Sequence, residues 1–431
     1  MKKINVGLIG FGHVGLGVVK ILRDKKTFLA QKLGLEINIK KICDKDIVSK
    51  RNINVDRNLL TREAKEIIND PQVDIVVELI GGIHPAKEFI IEALKKGKSV
   101  VTANKALLAQ EGKELFALAA DRQKSIYYEA SVGAGIPIIK SLREGLVANK
   151  FNGIFGIVNG TSNFILSKMS DENLAFNAAL KEAKIKGFAE KDPTLDIEGI
   201  DSAHKLILLT YLCFGRLVNV GDIFVEGISR ISLSDINYAK EMGWQIKLLA
   251  IAKKDADELE VRVHPTLIPK SHLLSSVSGI FNAIYVSSDL AGQLLFYGPG
   301  AGQMSAASAV VADLVDLVQD IKAGLFRPTL NTVLDKSIKK LRKIDDIESR
   351  YYIRFMAKDQ PGVLAKISGI LGKFGISIAS VNQKERHKAK EVPVVMILHE
   401  AKEKNLRSAI EMIDRLNIIK EKSVAIRMEE V

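Results

Sequence analysis

The sequence predicts an α/β chain in three parts. These are a parallel sheet covered by helices, a second domain of longer helices with a mixed sheet, and a small βαββαβ sandwich. Three observations carry this prediction. Apolar strand runs alternate with helical patterns from Ile4 to Tyr128. Beyond Ser131 the helices lengthen and the strands no longer alternate with them. From Tyr351 to Met428 the order is strand, helix, strand, strand, helix, strand.

Taken in order, Ile4–Ile9 is a buried-strand run, followed by a glycine cluster and a helix to Arg23. Glu36–Cys43, Val73–Leu79, Ser99–Thr102 and Ile126–Tyr128 are the next strands, with a helix over Ala86–Lys96 and another after Lys105. Helical spacing then marks Ile138–Leu146, Ser162–Lys168, Asn173–Lys186 and Asp201–Phe214. Gly153–Val158, Glu258–Val263 and Ala283–Ser287 read as strands of a mixed or antiparallel sheet. Gly298-Pro299-Gly300-Ala301-Gly302 introduces a small-residue helix from Met304 to Asp320. The basic stretch Asp335 to Arg350 reads as a linker or surface helix. In the tail, strands are expected at Tyr351–Ala357, Ile376–Gln383, Val392–His399 and Ser423–Met428, and helices at Gly362–Phe374 and Asn405–Leu416.

A chain of 431 residues, 47% hydrophobic and 26% charged, has the composition of a soluble globular protein with roughly two to three domains. Only 6% of it is aromatic, with one tryptophan, which argues against a stacking surface for single-stranded nucleic acid. The net charge of +12 fits a nucleic-acid binder or an enzyme of anionic ligands. The basic residues are interleaved with acids, which favours the enzyme and no nucleic acid. Lys339-Lys340-Leu341-Arg342-Lys343 reads as a solvated helix face. Cys43 and Cys213 are too few and too far apart for a disulfide framework or a thiolate metal cage, so a cytoplasmic location is expected. Met1 leads straight into a strand pattern, and no apolar run approaches membrane-spanning length, so neither a signal segment nor a membrane partner is expected.

Gly10-Phe11-Gly12-His13-Val14-Gly15 follows a strand and opens a helix. In that context the first glycine permits a tight turn, the second lets backbone approach a pyrophosphate, and the third lets helix and strand pack closely. The helix N-terminus then faces the anion. Asp44, at the end of the second strand, is placed to accept a ribose 2′-hydroxyl, which favours NAD, although it lies about 30 residues past the glycines instead of the usual ~20. Lys45 or Arg51 would pair a 2′-phosphate, which favours NADP, and the reading leans that way. Gly81, Thr102, Lys105 and Gly302 are further candidate cofactor contacts, at strand ends and at the late glycine turn.

Residues 1 to about 330 resemble the homoserine dehydrogenase family. The segments that carry the resemblance are 102–105 (TANK), 129–137 (EASVGAGIP), 159–163 (NGTSN) and 187–205 (GFAEKDPTLDIEGIDSAHK), with Gly298–Gly302 as a fifth. From about residue 350 the chain resembles an ACT domain, and Asp359-Gln360-Pro361-Gly362-Val363-Leu364 matches its strand-to-helix turn. The resemblance implies a Rossmann-type NAD(P)-binding domain over 1–130, completed by 301–330. It implies an α+β catalytic and dimerisation domain over 131–300, a linker over 331–349 and an ACT regulatory domain over 350–431. The implied reaction is hydride transfer between a nicotinamide cofactor and the couple L-homoserine/L-aspartate 4-semialdehyde, in threonine, methionine and isoleucine biosynthesis.

Reducing an aldehyde requires charge stabilisation on the carbonyl oxygen and delivery of a proton. A lysine ammonium does both. Asp201 and Lys205 stand i and i+4 on an apolar helix and share a face. On pattern alone they read as an ordinary salt bridge; the resemblance puts the acid–base role on Lys205, with Asp201 beside it. Lys105, taken as ending a strand of the parallel sheet, would contact cofactor or substrate carbonyl. By resemblance Glu190 and Asp201 bind the substrate, with Asp196 as a further candidate. The family also places a sodium ion on Glu129 and the backbone oxygens of Val132, Ala134 and Ile136. His204 reads as a helix-surface residue, and Cys213 falls in an apolar run without a partner for thiol chemistry.

Two other readings stay open: another ACT-tailed Rossmann dehydrogenase of amino-acid metabolism, and a non-enzymatic nucleotide or amino-acid sensor. No kinase pattern precedes the glycine cluster, so a monofunctional chain is expected. A homodimer or homotetramer is expected, with threonine as effector between paired tails. A chain ended near Arg350 is expected to keep a folded, active body.

Overall fold

In the computed structural model, residues 3–49, 51–328, 335–383 and 391–430 are described. The elements run β1 (Lys3–Ile9), α1 (His13–Asp24), α2 (Lys26–Leu33), β2 (Glu36–Cys43), β3 (Leu60–Thr61), α3 (Ala64–Ile68), β4 (Ile75–Glu78) and α4 (Ala86–Lys95). Next come β5 (Ser99–Thr102), α5 (Lys105–Asp121), β6 (Ile126–Tyr127), α6 (Ile138–Lys140), β7 (Phe151–Ile157), α7 (Gly160–Glu172), α8 (Phe176–Ile185), α9 (Thr194–Ile197) and α10 (Ile200–Phe214). They continue with β8 (Phe224–Val225), α11 (Leu233–Glu241), β9 (Trp244–Asp255), β10 (Glu258–Pro269), β11 (Phe281–Ser288), β12 (Gln293–Pro299) and α12 (Gln303–Ala323). The tail holds β13 (Lys340–Leu341), β14 (Glu348–Lys358), α13 (Val363–Lys373), β15 (Ile378–Asn382), β16 (Glu391–Lys402), α14 (Glu403–Asp414) and β17 (Val424–Met428). Two compact units result: Met1–Phe151, His204–Val220 and Phe281–Asp335 form the first, and Asn152–Ala203, Gly221–Ile280 and Lys336–Val431 form the second.

The first unit is built on a six-stranded parallel sheet in the order β3-β2-β1-β4-β5-β6. Its central strands are buried on both faces, so Val6–Ile9, Ile75–Val77 and Val100–Val101 run apolar without alternating. α1 and α12 cover one face, and Val18, Leu22, Val310, Leu314 and Leu317 share a core with Ile4, Val6 and Leu8. Gly17 allows that packing, because a Cβ there would stand 2.8 Å from the Ala307 Cβ.

In the second unit β9 and β10 form a twelve-residue antiparallel pair. β7 borders β9, and β17 runs parallel to β10. The remaining tail strands follow in the order β17-β14-β16-β15, so β15 is the edge. α13 and α14 supply Val363, Ile367, Leu371, Leu406 and Ile413 to the tail core against Tyr351, Ile353, Phe355 and Met396.

Several expectations need correction. The basic stretch is no helix where it is described: Lys340–Leu341 pairs with β10, and Ile344–Asp346 is a single 3₁₀ turn. Its arginine is pinned by acids, Arg342 bonding Glu258 and Glu260, so the charges belong to a sheet margin. Residues 329–334, part of the expected linker, lie outside the described residues. Lys105 does not end a strand; β5 stops at Thr102 and Lys105 opens α5. His204 is buried, 8% exposed, not on a helix surface. The tail is no detached module, since β17 extends the sheet of the body through Thr266–Arg427 and Leu267–Met428.

Candidate active site

Gly10, with φ of +107°, makes the turn after β1 where a Cβ would meet the Leu79 carbonyl carbon at 2.6 Å. At Gly15 a Cβ would lie 2.1 Å from the Gly10 carbonyl oxygen, so only glycine lets α1 start this close to the strand end. Gly12 caps α1 with no side-chain bond, and a Cβ there would meet nothing within 4 Å. The first N–H groups of α1 therefore face open space, the arrangement that receives a pyrophosphate. A cleft of about 450 Å³ opens beside the loop, lined by Gly10, Gly12, Asp44, Lys45, Arg62 and Gly81 among others.

Asp44 braces this loop: its Oδ2 accepts from the Phe11 N–H at 2.6 Å and its Oδ1 from the Asp46 N–H at 2.9 Å. Arg51 comes back over the same turn. Its Nε donates to the Phe11 carbonyl at 3.0 Å, its guanidinium lies 4.6 Å from the Phe11 ring centre, and its Nη2 is 3.5 Å from Asp44 Oδ1. Arg51 thus brings a positive charge to the carboxylate that would meet a ribose 2′-hydroxyl. His13 is exposed and Val14 half-buried on the first turn of α1.

Lys105 is set by a polar network at the carboxyl ends of β4 and β5. Buried Glu78 accepts from the Thr102 hydroxyl at 2.7 Å and from the Ile80 and Gly81 N–H groups at 2.8 and 3.2 Å. Burial pushes its carboxyl up, and these donors oppose the shift. Asn104 caps α5 through the Leu107 N–H at 3.1 Å and donates to the Gly82 carbonyl at 2.7 Å. The cap fixes the first residue of the helix, which is Lys105. Gly302 has φ of +134° and caps α12 at its N-terminus.

Glu129 lies in a 3₁₀ turn after β6 and is 5% exposed. Its two oxygens accept from the Ile139 and Lys140 N–H groups at 2.8 Å each, capping α6. Burial raises its carboxyl to about 7. Its own N–H donates to Asp313 Oδ2 at 2.8 Å, and Asp313 is pushed up by burial and then by the Glu129 charge. The backbone there coils tightly, with Gly133 at φ +70° and Ala134 at φ +52°. Among the described residues no group of three or more His, Cys, Asp or Glu side chains is placed to hold a metal, so a site here would rest on one carboxylate and backbone oxygens.

In the second unit one amide orders two acids. Asn159 Nδ2 donates to Asp196 Oδ1 at 2.7 Å and to Asp201 Oδ2 at 2.9 Å, while its Oδ1 caps α7 through the Ser162 N–H at 2.8 Å. The Thr161 hydroxyl reaches Asp196 Oδ2 at 3.1 Å. Asp196 and Asp201 thus share a donor, while Glu190 is exposed on the preceding loop. Asp201 and Lys205 stand one turn apart on α10 and are both buried, at 7% and 8% exposure. Further along α10, burial pushes the Cys213 thiol up, which suits an inert side chain.

Glu78, Asn104 and Asn159 carry much of this geometry and were not singled out from the sequence. Asn104 and Asn159 lie inside the 102–105 and 159–163 segments, and an asparagine before a helical run was the available signal. Nothing around Glu78 distinguishes it.

Residues 137–315 match the homoserine dehydrogenase family model, residues 10–129 the homoserine dehydrogenase NAD binding domain, and residues 351–414 the ACT domain. The chain is 42% identical to a homoserine dehydrogenase of Neisseria gonorrhoeae, covering 100% of both chains. It is 40% identical to that of Bacillus subtilis, covering 100% of this chain and 99% of the relative. A crystal structure of a homoserine dehydrogenase from Thiobacillus denitrificans superposes with TM-score 0.90 at 42% identity, covering 100% of this chain and 99% of that one. A hyperthermophilic archaeal homoserine dehydrogenase in complex with NADPH gives TM-score 0.62 at 28% identity, over 75% of this chain and 100% of that one.

Proposed function

The chain belongs to the homoserine dehydrogenase family and is an NAD(P)-dependent homoserine dehydrogenase, and from that premise we propose how its residues divide the work. When bound, a nicotinamide cofactor would supply the hydride acceptor for homoserine and the hydride donor for the semialdehyde. Lys205 takes the proton from the homoserine hydroxyl and gives it back to the aldehyde oxygen in the reverse direction. Lys105, fixed by the Asn104 cap, stabilises charge on that oxygen. Glu190, Asp196 and Asp201 recognise the substrate α-ammonium. The observation that carries this reading is Asn159, which holds two carboxylates side by side as a cation-binding pair.

The cofactor is NADP by preference, because Arg51 and Lys45 set positive charge around Asp44. His13, Val14, Gly81, Thr102 and Gly302 are its remaining contacts. Glu129 and the carbonyls of Val132, Ala134 and Ile136 would hold a sodium ion, whose charge would offset the buried Glu129 carboxylate. The enzyme works in the cytoplasm as a homodimer or homotetramer. Its tail senses threonine at Asp359–Leu364, where α13 begins at Gly362 without a side-chain cap and β15 leaves a sheet edge for a second chain. Among the described residues no helix is long and apolar enough to cross a membrane.

Initial rates of homoserine oxidation with NAD and NADP separately test the assignment. A kcat/KM higher with NADP, falling on Arg51→Ala with NADP but not with NAD, is expected. Equal loss with both cofactors counts against the 2′-phosphate role.

A further inference from the structure

The parallel sheet of the first unit reverses its strand order between β1 and β4, and in such sheets a ligand lies across the crevice beyond the carboxyl ends of the strands. β2 ends beside Asp44 on one side of that point. On the other side β4 and β5 end at Glu78 and Thr102, which pair with each other across the two strands. With the adenosine ribose at Asp44, the nicotinamide half falls on the β4–β5 side, where Lys105 opens α5. The cleft of about 450 Å³ accordingly runs from Asp44 and Lys45 to Leu79, Ile80 and Gly81.

Glu78 stands directly behind that second wall. It is 0% exposed, yet its Oε1 accepts from the N–H of Gly81, a wall residue, at 3.2 Å and from that of Ile80 at 2.8 Å. Its Oε2 accepts from the Thr102 hydroxyl at 2.7 Å, and that hydroxyl oxygen in turn accepts from the Asn104 N–H at 3.0 Å. Three donors thus converge on one carboxyl. A protonated Glu78 would have to give its proton to the Thr102 oxygen and strand the hydroxyl's own, so the bonding pattern is that of the ion. Burial alone favours the protonated form, and these donors oppose it. All of them are neutral, so the charge is held without being cancelled. Val77, Val101 and Thr102 beside it are equally buried, so water screens its field little.

A neutral side chain would be enough to tie down the loop after β4, whereas a buried charge is costly. The reaction gives that charge a use. Semialdehyde reduction breaks a C–H bond of the reduced ring and carries the hydride, with both electrons, to the aldehyde carbon. The oxygen takes its proton from Lys205, and the ring is left with one positive charge. Resting on that reading of the reaction and of the cofactor contacts, we propose that Glu78 sets the balance between oxidised and reduced cofactor: its carboxylate lies behind the nicotinamide half of the cleft and favours the positively charged ring over the neutral one. Lys105 and Glu78 then act on the two ends of one transfer. The ammonium serves the oxygen that gains negative charge, and the carboxylate serves the ring that gains positive charge. Glu78 touches neither substrate nor ring; it acts through its field.

The test is fluorescence titration of the full chain with NADPH, followed by displacement with NADP⁺. Glu78→Gln keeps an acceptor for the Ile80 and Gly81 N–H groups and removes the charge. The ratio of the NADP⁺ Kd to the NADPH Kd should rise about fivefold or more, the scale of one unit charge acting across several ångströms of protein. A purely structural role would weaken both forms in the same proportion. Glu78→Asp keeps the charge and shifts its position, so both forms should weaken while their ratio stays within about twofold of wild type. If Glu78→Gln proves poorly folded, Thr102→Val, which removes the hydroxyl donor to the carboxylate, should move the ratio in the same direction. An unchanged ratio in folded Glu78→Gln overturns the proposal, as does a ratio that moves equally in Glu78→Asp. An unchanged ratio in Thr102→Val overturns it where Glu78→Gln does not fold. In each of these cases NADPH binding to wild type that is lost in Gly12→Val leaves the cofactor reading standing. NADPH binding that is unaltered in folded Gly12→Val removes the cofactor from this cleft and overturns the proposal together with the reading.

Discussion

The proposed proton path runs through one ammonium, that of Lys205. Lys205→Ala should lower kcat by roughly 10²–10⁴, the scale of losing a general acid–base group, with NADPH affinity retained. Initial rates and NADPH fluorescence titration check both halves, and a near-normal kcat would remove Lys205 from the proton path. Asn159 yields a sharper test. Asn159→Asp would put a third carboxylate within hydrogen-bond distance of Asp196 and Asp201. Protonated, the new group still donates to one of them; ionised, it repels both. The variant should therefore bind homoserine best at a lower pH than wild type, with KM climbing as pH rises. A KM profile parallel to that of wild type would show that Asn159 does not order the pair. The difference in legibility between these residues is physical. Lys205 stood out as a candidate from sequence because a long motif surrounds it; its i, i+4 spacing from Asp201 alone reads as an ordinary salt bridge. The partners of Asn159 lie 37 and 42 residues away, and the two acids of the Glu129–Asp313 contact lie 184 apart. No local pattern records such pairings.

Elements were legible where one period dominated. β1 and β5 follow from short apolar runs, β2 from the alternation of Ile37 and Ile39 with polar residues, and α1 from glycine spacing that steric limits make nearly obligatory. Gly12→Val tests α1 as an anion-binding end. A side chain would enter the space in front of the helix N-terminus, so NADPH binding should fall sharply while the fold persists. Unaltered NADPH titration of the folded variant would place the pyrophosphate elsewhere. β9 escaped notice because its run Ile246 to Ala252 is buried throughout, like a core helix, and lacks strand alternation. Within it Lys247 is 1% exposed, donating to the Val277 carbonyl and, at 3.4 Å, to Asn163 Oδ1. Burial pushes its ammonium down from 10.5 to about 8, against the pull of Asp171. Between about pH 8 and 10.5 the unfolded chain then holds more protons at this group than the folded chain does, so stability should rise with pH across that window. The gain is roughly 3 kcal/mol at 1.36 kcal/mol per pH unit. Lys247→Met should lose this rise, read as the difference in urea unfolding free energy between the two proteins at pH 8 and pH 10. Identical slopes for both would mean that Lys247 titrates normally.

On the scale of the whole second unit, the tail behaves as part of the body's sheet, which its sequence conceals. Its own βαββαβ periodicity is complete, so a cut near Arg350 looks harmless. In the structure the cut removes β17 from β10 and takes Arg354 and Tyr352 from Asp235, residues 119 and 117 positions away. Asp235 is fully buried, bonded by Arg354 Nε at 2.7 Å and by the Tyr352 hydroxyl at 2.9 Å, besides capping α11 with Ser232. Arg262, also fully buried, would lose Glu429 and keep Glu260 and His264. Removing one partner of a buried ion pair costs about 3–5 kcal/mol, because the other charge stays buried and unmatched. That is comparable with much of the net stability of a domain. A chain ended at Ser349 should therefore unfold at markedly lower urea concentration than the full chain. Arg354→Met in the full chain should reproduce part of the loss, about 3–5 kcal/mol. Asp235→Asn combined with Arg354→Met should recover much of that loss, since no unpaired charge then remains inside. Recovery would assign the loss to the stranded carboxylate, whereas an additive double variant would assign it to lost packing around β14. A threonine response that vanishes on truncation is evidence for sensing by the tail only if the body is first shown to stay folded, which makes the full-length point variants the cleaner instruments for dissecting regulation.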